Sequence, residues 1–310
     1  FGFNKGVLTD LLKGELGFEG IICTDWGLIT DANILGQDMP ARAWGVEHLS
    51  RSERVEKAIN AGADQFGGES CPELIVELVR EGRISEERID YSAAKLLAEK
   101  FILGLFDEQR FVDEDAADAI VGKPEFMAAG EAAQRAGYVL LKLATEGAAQ
   151  LPLAAGLKIY VEGLDAEKAS AIGQIVASPE EADLAIIRKN AHFDPRPGGF
   201  EAIFHAGSLA YPAEEVARIV EICQTVPTIF DIYLDRAAVF PEIAEAAAAV
   251  TANFGSNPNA FMDVLKNPKL AKGRLPIELP SSLEAILASK SDVPYDTASP
   301  TFAYGAGLSV

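Results

Sequence analysis

An α/β fold with a mainly parallel sheet is predicted by three features of this 310-residue chain. Short apolar runs at residues 157–161, 184–187, 228–234 and 248–254 alternate with helical patterns such as 213–223, the order that covers a parallel sheet on both faces. Residues 20–29, GIICTDWGLI, hold a β-branched run that ends in Asp25, Trp26 and Gly27. The 49% apolar content over this length is ample for two buried cores.

From the N-terminus, Val7, Leu8, Leu11 and Leu12 recur at helical spacing, and Gly14 and Gly17 punctuate the exit. Ile21, Ile22 and Cys23, bounded by Gly20 and Gly27, predict a strand buried on both faces. Side chains at the C-terminal ends of parallel strands converge on a site, so Asp25 stands where a catalytic carboxylate would, with the flat apolar face of Trp26 beside it. The competing reading makes Asp25 a helix cap and Trp26 ordinary core. A long loop with Trp44 and His48 follows. Residues 52–61 predict a helix leading to a strand at 63–66, and 72–80 predict another, with Leu74, Ile75, Leu78 and Val79 on one side. Ser85 is placed to cap the next helix, with Glu86 and Glu87 at its positive end and Ile84 and Ile89 as a hydrophobic staple. That helix runs to about residue 103 and stops at Gly104. Residues 111–125, FVDEDAADAIVGKPE, have the character of a connector, and a helical run over 126–143 comes next. The expected division is therefore 1–110, a connector and helix over 111–145, and an α/β sandwich domain over 146–310.

The net charge of −20 disfavours nucleic acid and anionic membranes and suits a neutral ligand. No apolar run is long enough to span a bilayer, and the start FGFNKG lacks a basic segment followed by an apolar one, so neither a span nor a signal peptide is expected; localisation stays open between cytoplasmic and extracytoplasmic. Cys23, Cys71 and Cys223 are odd in number and widely spaced, which argues against disulfides or a zinc site and for buried small hydrophobes. No G-x-G-x-x-G or P-loop follows any strand, which weighs against a nucleotide-binding protein.

Residues 11–27 (LLKGELGFEGIICTDWG) resemble the nucleophile segment of the family 3 glycoside hydrolases, the β-glucosidase type. Six further stretches resemble the family in its own order: 61–66 (AGADQF), 79–90 (VREGRISEERID), 100–107 (KFILGLFD), 140–153 (LLKLATEGAAQLPL), 273–280 (GRLPIELP) and 302–309 (FAYGAGLS). The resemblance implies that residues 1–110 are the C-terminal units of a (β/α)8 barrel carrying the nucleophile, followed by the α/β sandwich. Family members carry about six more β/α units ahead of this segment, holding most of the groups that grip the nonreducing-end sugar. Their absence here implies a shortened chain or half of a split enzyme, with a second polypeptide or a homo-oligomer completing the barrel and covering its open edges.

Retaining glycosidases place a nucleophile and an acid/base roughly 5 to 5.5 Å apart across the scissile bond and need no cofactor. Asp25 matches the family nucleophile. The acid/base is expected on the loop 190–208, NAHFDPRPGGFEAIFHAGS, where Glu201 and Asp194 compete. Glu201 is preferred because it follows Gly198-Gly199 and reaches further; Asp194 lies between Phe193 and Pro195, where desolvation is expected to raise its pKa as a proton donor requires. The usual acid/base signature of the family is not present in that form. Trp26, Glu69, His205, Arg196 and Trp44 are the expected sugar contacts, with His192 and His48 nearby. Asp231 and Asp235 are read as structural, Asp235 pairing with Arg236 or capping a turn. The implied activity is β-glucosidase on nonreducing-end β-D-glucosyl residues. The alternatives are β-xylosidase, β-N-acetylglucosaminidase and a noncatalytic subunit, with a β-linked oligosaccharide or glycoside as substrate.

Overall fold

The N-terminal apolar repeat winds into a π-helix over Gly6–Glu15 that buries Leu8, in a computed structural model that describes residues 1–34, 36–107, 112–197 and 200–310. The chain divides into two compact units, Phe1–Ala117 and Asp118–Val310.

In the first unit, β1 (Cys23–Trp26) is followed by an antiparallel pair, β2 (Ala32–Ile34) and β3 (Gln37–Met39), inside the segment expected as one long loop. Next comes α1 (Arg51–Ala61). Its start is fixed by a capping box between Ser50 and Glu53, and its end by Gly62 at a φ of 117°. Strand β4 (Gln65–Gly67) pairs parallel with β1, Cys23 opposite Gln65 and Trp26 opposite Gly67. Helices α2 (Pro72–Arg80) and α3 (Glu86–Ile102) follow, and Ser85 accepts the Arg88 amide at the start of α3 as expected; the division between the units falls within α4 (Glu114–Ile120). Leu28, Ile29, Val55, Ile59, Leu78 and Ile84 form the main core of this unit.

The expectation of a strand buried on both faces is corrected here. Ile22 is buried just ahead of β1, but Cys23, Asp25 and Trp26 are exposed, because β1 pairs only with β4 among the described residues. Cys23 is thus not a core residue; Cys71 is buried and Cys223 half-buried.

The second unit opens with α5 (Pro124–Ala136) and β5 (Val139–Lys142), then β6 (Lys158–Glu162), α6 (Ala166–Ala169), β7 (Gln174–Ile175), β8 (Leu184–Asn190), α7 (Ala213–Thr225), β9 (Thr228–Tyr233), α8 (Pro241–Ala246), β10 (Ala249–Asn253), α9 (Pro258–Lys266) and α10 (Leu283–Ala288). The helical run expected over 126–143 breaks at Gly137. Beyond it, Val139, Leu140 and Leu141 are buried in a strand, because the apolar stretch satisfies a sheet edge better than one helix face. The six strands order as β5-β10-β9-β8-β6-β7, with β5 antiparallel to β10 and every other pair parallel. The result is an α/β fold built on a mixed sheet.

Alternation along the strands sorts the core into two layers. Ala185, Ile187, Phe230, Ile232, Val250 and Ala252 pack with Ile219 and Ile222 of α7 and Ile243 of α8. Leu184, Ile186, Ile229 and Ala249 pack with Phe261, Val264 and Leu265 of α9. Strands buried on both faces are what near-continuous apolar runs produce, each fully buried Ile or Leu contributing ~1.5–3 kcal/mol.

Candidate active site

Asp25 sits in β1 with its side chain about two-thirds exposed (66%), and its Oδ2 lies 3.1 Å from the Arg42 Nη1. Its Oδ1 accepts the following amide, that of Trp26, at 2.8 Å. Arg42 also donates to the Trp26 carbonyl, and its own amide donates to Gly27 at 2.7 Å. One guanidinium therefore gathers the carboxylate and the backbone that carries it. Nothing in the spacing of the sequence pointed to Arg42, which stands seventeen residues after Asp25 beyond the β2–β3 pair.

Trp26 is exposed rather than core, which removes the competing core reading for it. Its indole lies against Gly67 and Gly68. A Cβ on Gly68 would fall 1.9 Å from the indole Cδ1, and Gly68 itself has a φ of 64°, so both space and backbone require glycine there. Trp44 is also exposed, on the loop after β3.

Two carboxylates flanking β4 hold the backbone on either side of Asp25. Asp64, its side chain fully enclosed, accepts the Ile22 amide at 3.0 Å and the Ser92 hydroxyl at 2.7 Å, with Lys13 and Lys95 each at 3.3 Å. Burial opposes its ionisation, but the Ile22 amide, the Ser92 hydroxyl and the Lys13 ammonium together outweigh it, and its pKa lies below the ordinary carboxylate value. Glu69, expected as a sugar contact, has both oxygens engaged with protein: Oε1 and Oε2 each accept the Ile29 amide at 3.1 Å, and Oε1 accepts the Thr30 amide at 2.7 Å. Arg54 and Arg51 tie the same turn through the Ile29 carbonyl at 3.1 Å and the Thr30 hydroxyl at 3.0 Å. The role of Asp64 was missed from sequence, and Glu69 is placed as a positioning group.

The loop 190–208 belongs to the second unit. The Asp194 Oδ2 accepts the Ser208 amide at 2.7 Å, its Oδ1 lies 3.1 Å from the His192 Nε2, and its own amide donates to the Ala206 carbonyl at 2.9 Å. Asp194 therefore closes the neck of the loop. The Ser208 amide first, and the His192 ring second, hold its pKa below the ordinary value, which corrects the raised pKa expected of it. Gly207 has a φ of 76°, and a Cβ there would meet the Asp194 carboxylate at 2.0 Å, so this closure requires glycine. The His205 Nδ1 is bonded to Asp235, and its ring stacks on Phe193 at 3.7 Å between centroids. Asp235 thus pairs with His205 and not with Arg236, which donates instead to the carbonyls of Ala206 and Gly207 at 2.7 and 2.9 Å. Arg196 is exposed on the same loop. Glu201 falls within the short turn of helix Phe200–Ile203; its side chain, and the Gly198-Gly199 pair, lie outside the described residues. Asp231 is structural, as expected: it is fully buried, 2.9 Å from the Arg188 Nε, and accepts the Thr251 hydroxyl at 2.6 Å and the Asn253 amide at 2.9 Å. Burial pushes its pKa up against these partners.

Asp25 is thus an exposed carboxylate in a strand of a parallel pair, beside an aromatic plane and an arginine. Residues 2–98 match the glycosyl hydrolase family 3 N-terminal domain. A probable β-glucosidase C from Aspergillus flavus is 53% identical over 310 residues, covering 100% of this chain and 49% of that protein. A periplasmic β-glucosidase/β-xylosidase from Dickeya chrysanthemi is 36% identical over 321 residues, covering 99% and 48%. The chain belongs to glycosyl hydrolase family 3. It spans about half the length of the curated relatives it matches. In fold it is similar to a β-glucosidase from Listeria innocua in complex with isofagomine, with a TM-score of 0.74 at 19% identity over 99% of this chain and 50% of that one.

Proposed function

We propose that this chain supplies the nucleophile and the acid/base of a retaining β-glucosidase acting on nonreducing-end β-D-glucosyl residues. The observation that carries the reading is Asp25, exposed in β1 and paired with Arg42 within the segment that matches the family. In this reading the Asp25 carboxylate attacks the anomeric carbon while the acid/base protonates the departing oxygen. A water deprotonated by the same acid/base then hydrolyses the glycosyl ester with net retention. Glu201 is the preferred acid/base. Support comes from Asp194, whose oxygens close the loop neck and whose depressed pKa suits an acceptor rather than a proton donor. Trp26 and Trp44 offer sugar-stacking faces, and His205 and Arg196 hydroxyl contacts from the loop. Glu69 acts through the turn it holds.

The accompanying fold reading is that residues 1–110 are C-terminal units of a (β/α)8 barrel, 111–145 a connector and helix, and 146–310 an α/β sandwich domain. The outer edges of β1 and β4 are unpaired among the described residues, which supports cover by further β/α units, in this or a second polypeptide. The second activity in the name of the Dickeya relative keeps β-xylosidase as the alternative.

The test is trapping with a 2-fluoro-glucoside bearing a good leaving group, followed by peptide mapping, alongside hydrolysis of aryl β-glucosides and β-xylosides. The expected ester is on Asp25, absent in Asp25→Asn. Undiminished labelling of that variant overturns the assignment, and a higher rate on the xyloside replaces the substrate. Azide rescue of Asp194→Asn but not of Glu201→Gln would exchange their roles.

A further inference from the structure

Arg42 meets Asp25 from a backbone that is itself held on both sides. The Ala41 amide donates to the Asp31 Oδ1 at 2.7 Å, and Ala43 is fully buried. Between them the Arg42 amide donates to the Gly27 carbonyl at 2.7 Å, while its guanidinium donates to the Trp26 carbonyl and lies 3.1 Å from the Asp25 Oδ2. Gly27 has a φ of 68°, a turn that favours glycine. Three successive residues, Asp25 to Gly27, are thus bound by one.

An ion pair between two loose surface side chains is worth little, because ordering both of them offsets the attraction. Here the Arg42 side chain is 25% exposed against 66% for Asp25, and its bond to the Trp26 carbonyl fixes it independently of the carboxylate. The fold has already done the ordering. The two Asp25 oxygens are held unequally, Oδ1 by the neutral Trp26 amide at 2.8 Å and Oδ2 by the guanidinium cation.

Double displacement asks opposite things of that cation. In the first step an Asp25 oxygen bonds to the anomeric carbon as the bond to the aglycone oxygen breaks, that oxygen takes the proton of the acid/base, and the carboxylate loses its charge. A neighbouring cation does not favour that loss. In the second step water gives a proton to the acid/base and bonds to the anomeric carbon, the bond to Asp25 breaks, and its electron pair returns to the carboxylate. A guanidinium already in place stabilises the returning charge without reorganisation.

We propose that Arg42 is a positioning residue that promotes release of the glycosyl ester, holding Asp25 as the leaving group of the second step rather than sharpening it as the nucleophile of the first. The role rests on the reading of Asp25 as the nucleophile. The test follows the 2-fluoro-glucosyl ester of the full chain by intact mass, since the fluorine slows both steps. Its rate of appearance reports attack, and its rate of loss after excess reagent is removed reports release. In Arg42→Ala, and in Arg42→Gln, which removes the charge but keeps an amide donor, release should slow about tenfold, the worth of one hydrogen bond to a charged group, with attack changed less than about threefold. Arg42→Lys, and guanidinium added to Arg42→Ala, should each restore most of the lost rate. Release unchanged in both uncharged variants, or attack and release slowed alike, overturns the role of Arg42. A wild-type chain that forms no ester on Asp25 overturns the reading of the nucleophile and this role with it, an outcome distinct from an ester that leaves equally fast with and without Arg42.

Discussion

Replacing Asp64 with alanine tests the first unit where its charge is most concentrated. The substitution leaves Lys13, Lys95 and Arg88 clustered without the carboxylate that lies 3.3, 3.3 and 3.8 Å from them. It also orphans the Ile22 amide and the Ser92 hydroxyl. Removing one partner of a buried ion pair costs ~3–5 kcal/mol, and each unsatisfied buried donor ~1–3 kcal/mol. The cations retain 14 to 22% side-chain exposure, so water relieves part of the repulsion. The expected loss is therefore near the low end, about 3 kcal/mol, which with an m-value of ~1.5 kcal/mol/M moves the urea midpoint down by ~2 M. Trp26 and Trp44 both belong to this unit, so tryptophan fluorescence reports its unfolding. Lys13→Met, which removes one of three cations and leaves Asp64 paired, should cost under ~1 kcal/mol. A loss below ~1 kcal/mol in Asp64→Ala, or equal losses in the two variants, would refute the view that Asp64 is the hub.

Three further outcomes are expected. Glu69→Ala should cost ~1–3 kcal/mol and abolish the hydrogen-exchange protection of the Ile29 and Thr30 amides; protection that survives would show that Arg51 and Arg54 hold the turn unaided. Glu215, drawn from 4.5 to about 2 chiefly by its hydrogen bonds from Arg218, binds fewer protons folded than unfolded, so its contribution is full above 4.5 and lost as pH falls from there towards 2. Glu162, lowered by the same arginine, acts in the same direction; an acid limb of denaturation unchanged in Glu215→Gln would contradict the linkage. Arg188→Met strands the fully buried Asp231 and should cost ~3–5 kcal/mol, read by far-UV circular dichroism in urea, with Arg188→Met/Asp231→Asn recovering part of the loss.

The strands of the second unit were legible because Leu184 to Ile187 and Thr228 to Ile232 are buried whichever way they point, and two-sided burial writes an uninterrupted apolar run. Strand β5 was not, because Val139 to Leu141 continue a helical composition and only the break at Gly137 marks the change. Asp25 stood out as an acid closing a β-branched run. Arg42, Asp64 and the pairing of Asp235 with His205 did not, since their meaning lies in contacts tens of residues away that carry no periodic signal. Glu69 was noticed for its place after a strand, but the direction of its side chain, towards Ile29 and Thr30, depends on where that distant turn lies.

Because Asp64 and Glu69 grip the chain 42 and 40 residues back, the strand that bears Asp25 has no setting of its own to transplant. Moving the TDWG stretch alone onto another scaffold would carry the acid without its aim; the smallest portable piece that keeps Asp64 paired reaches from Lys13 to Lys95. On the ribosome the same arithmetic sets an order of events. The aspartate emerges ahead of β4, and its setting is completed only once the far side of that strand has left the exit tunnel.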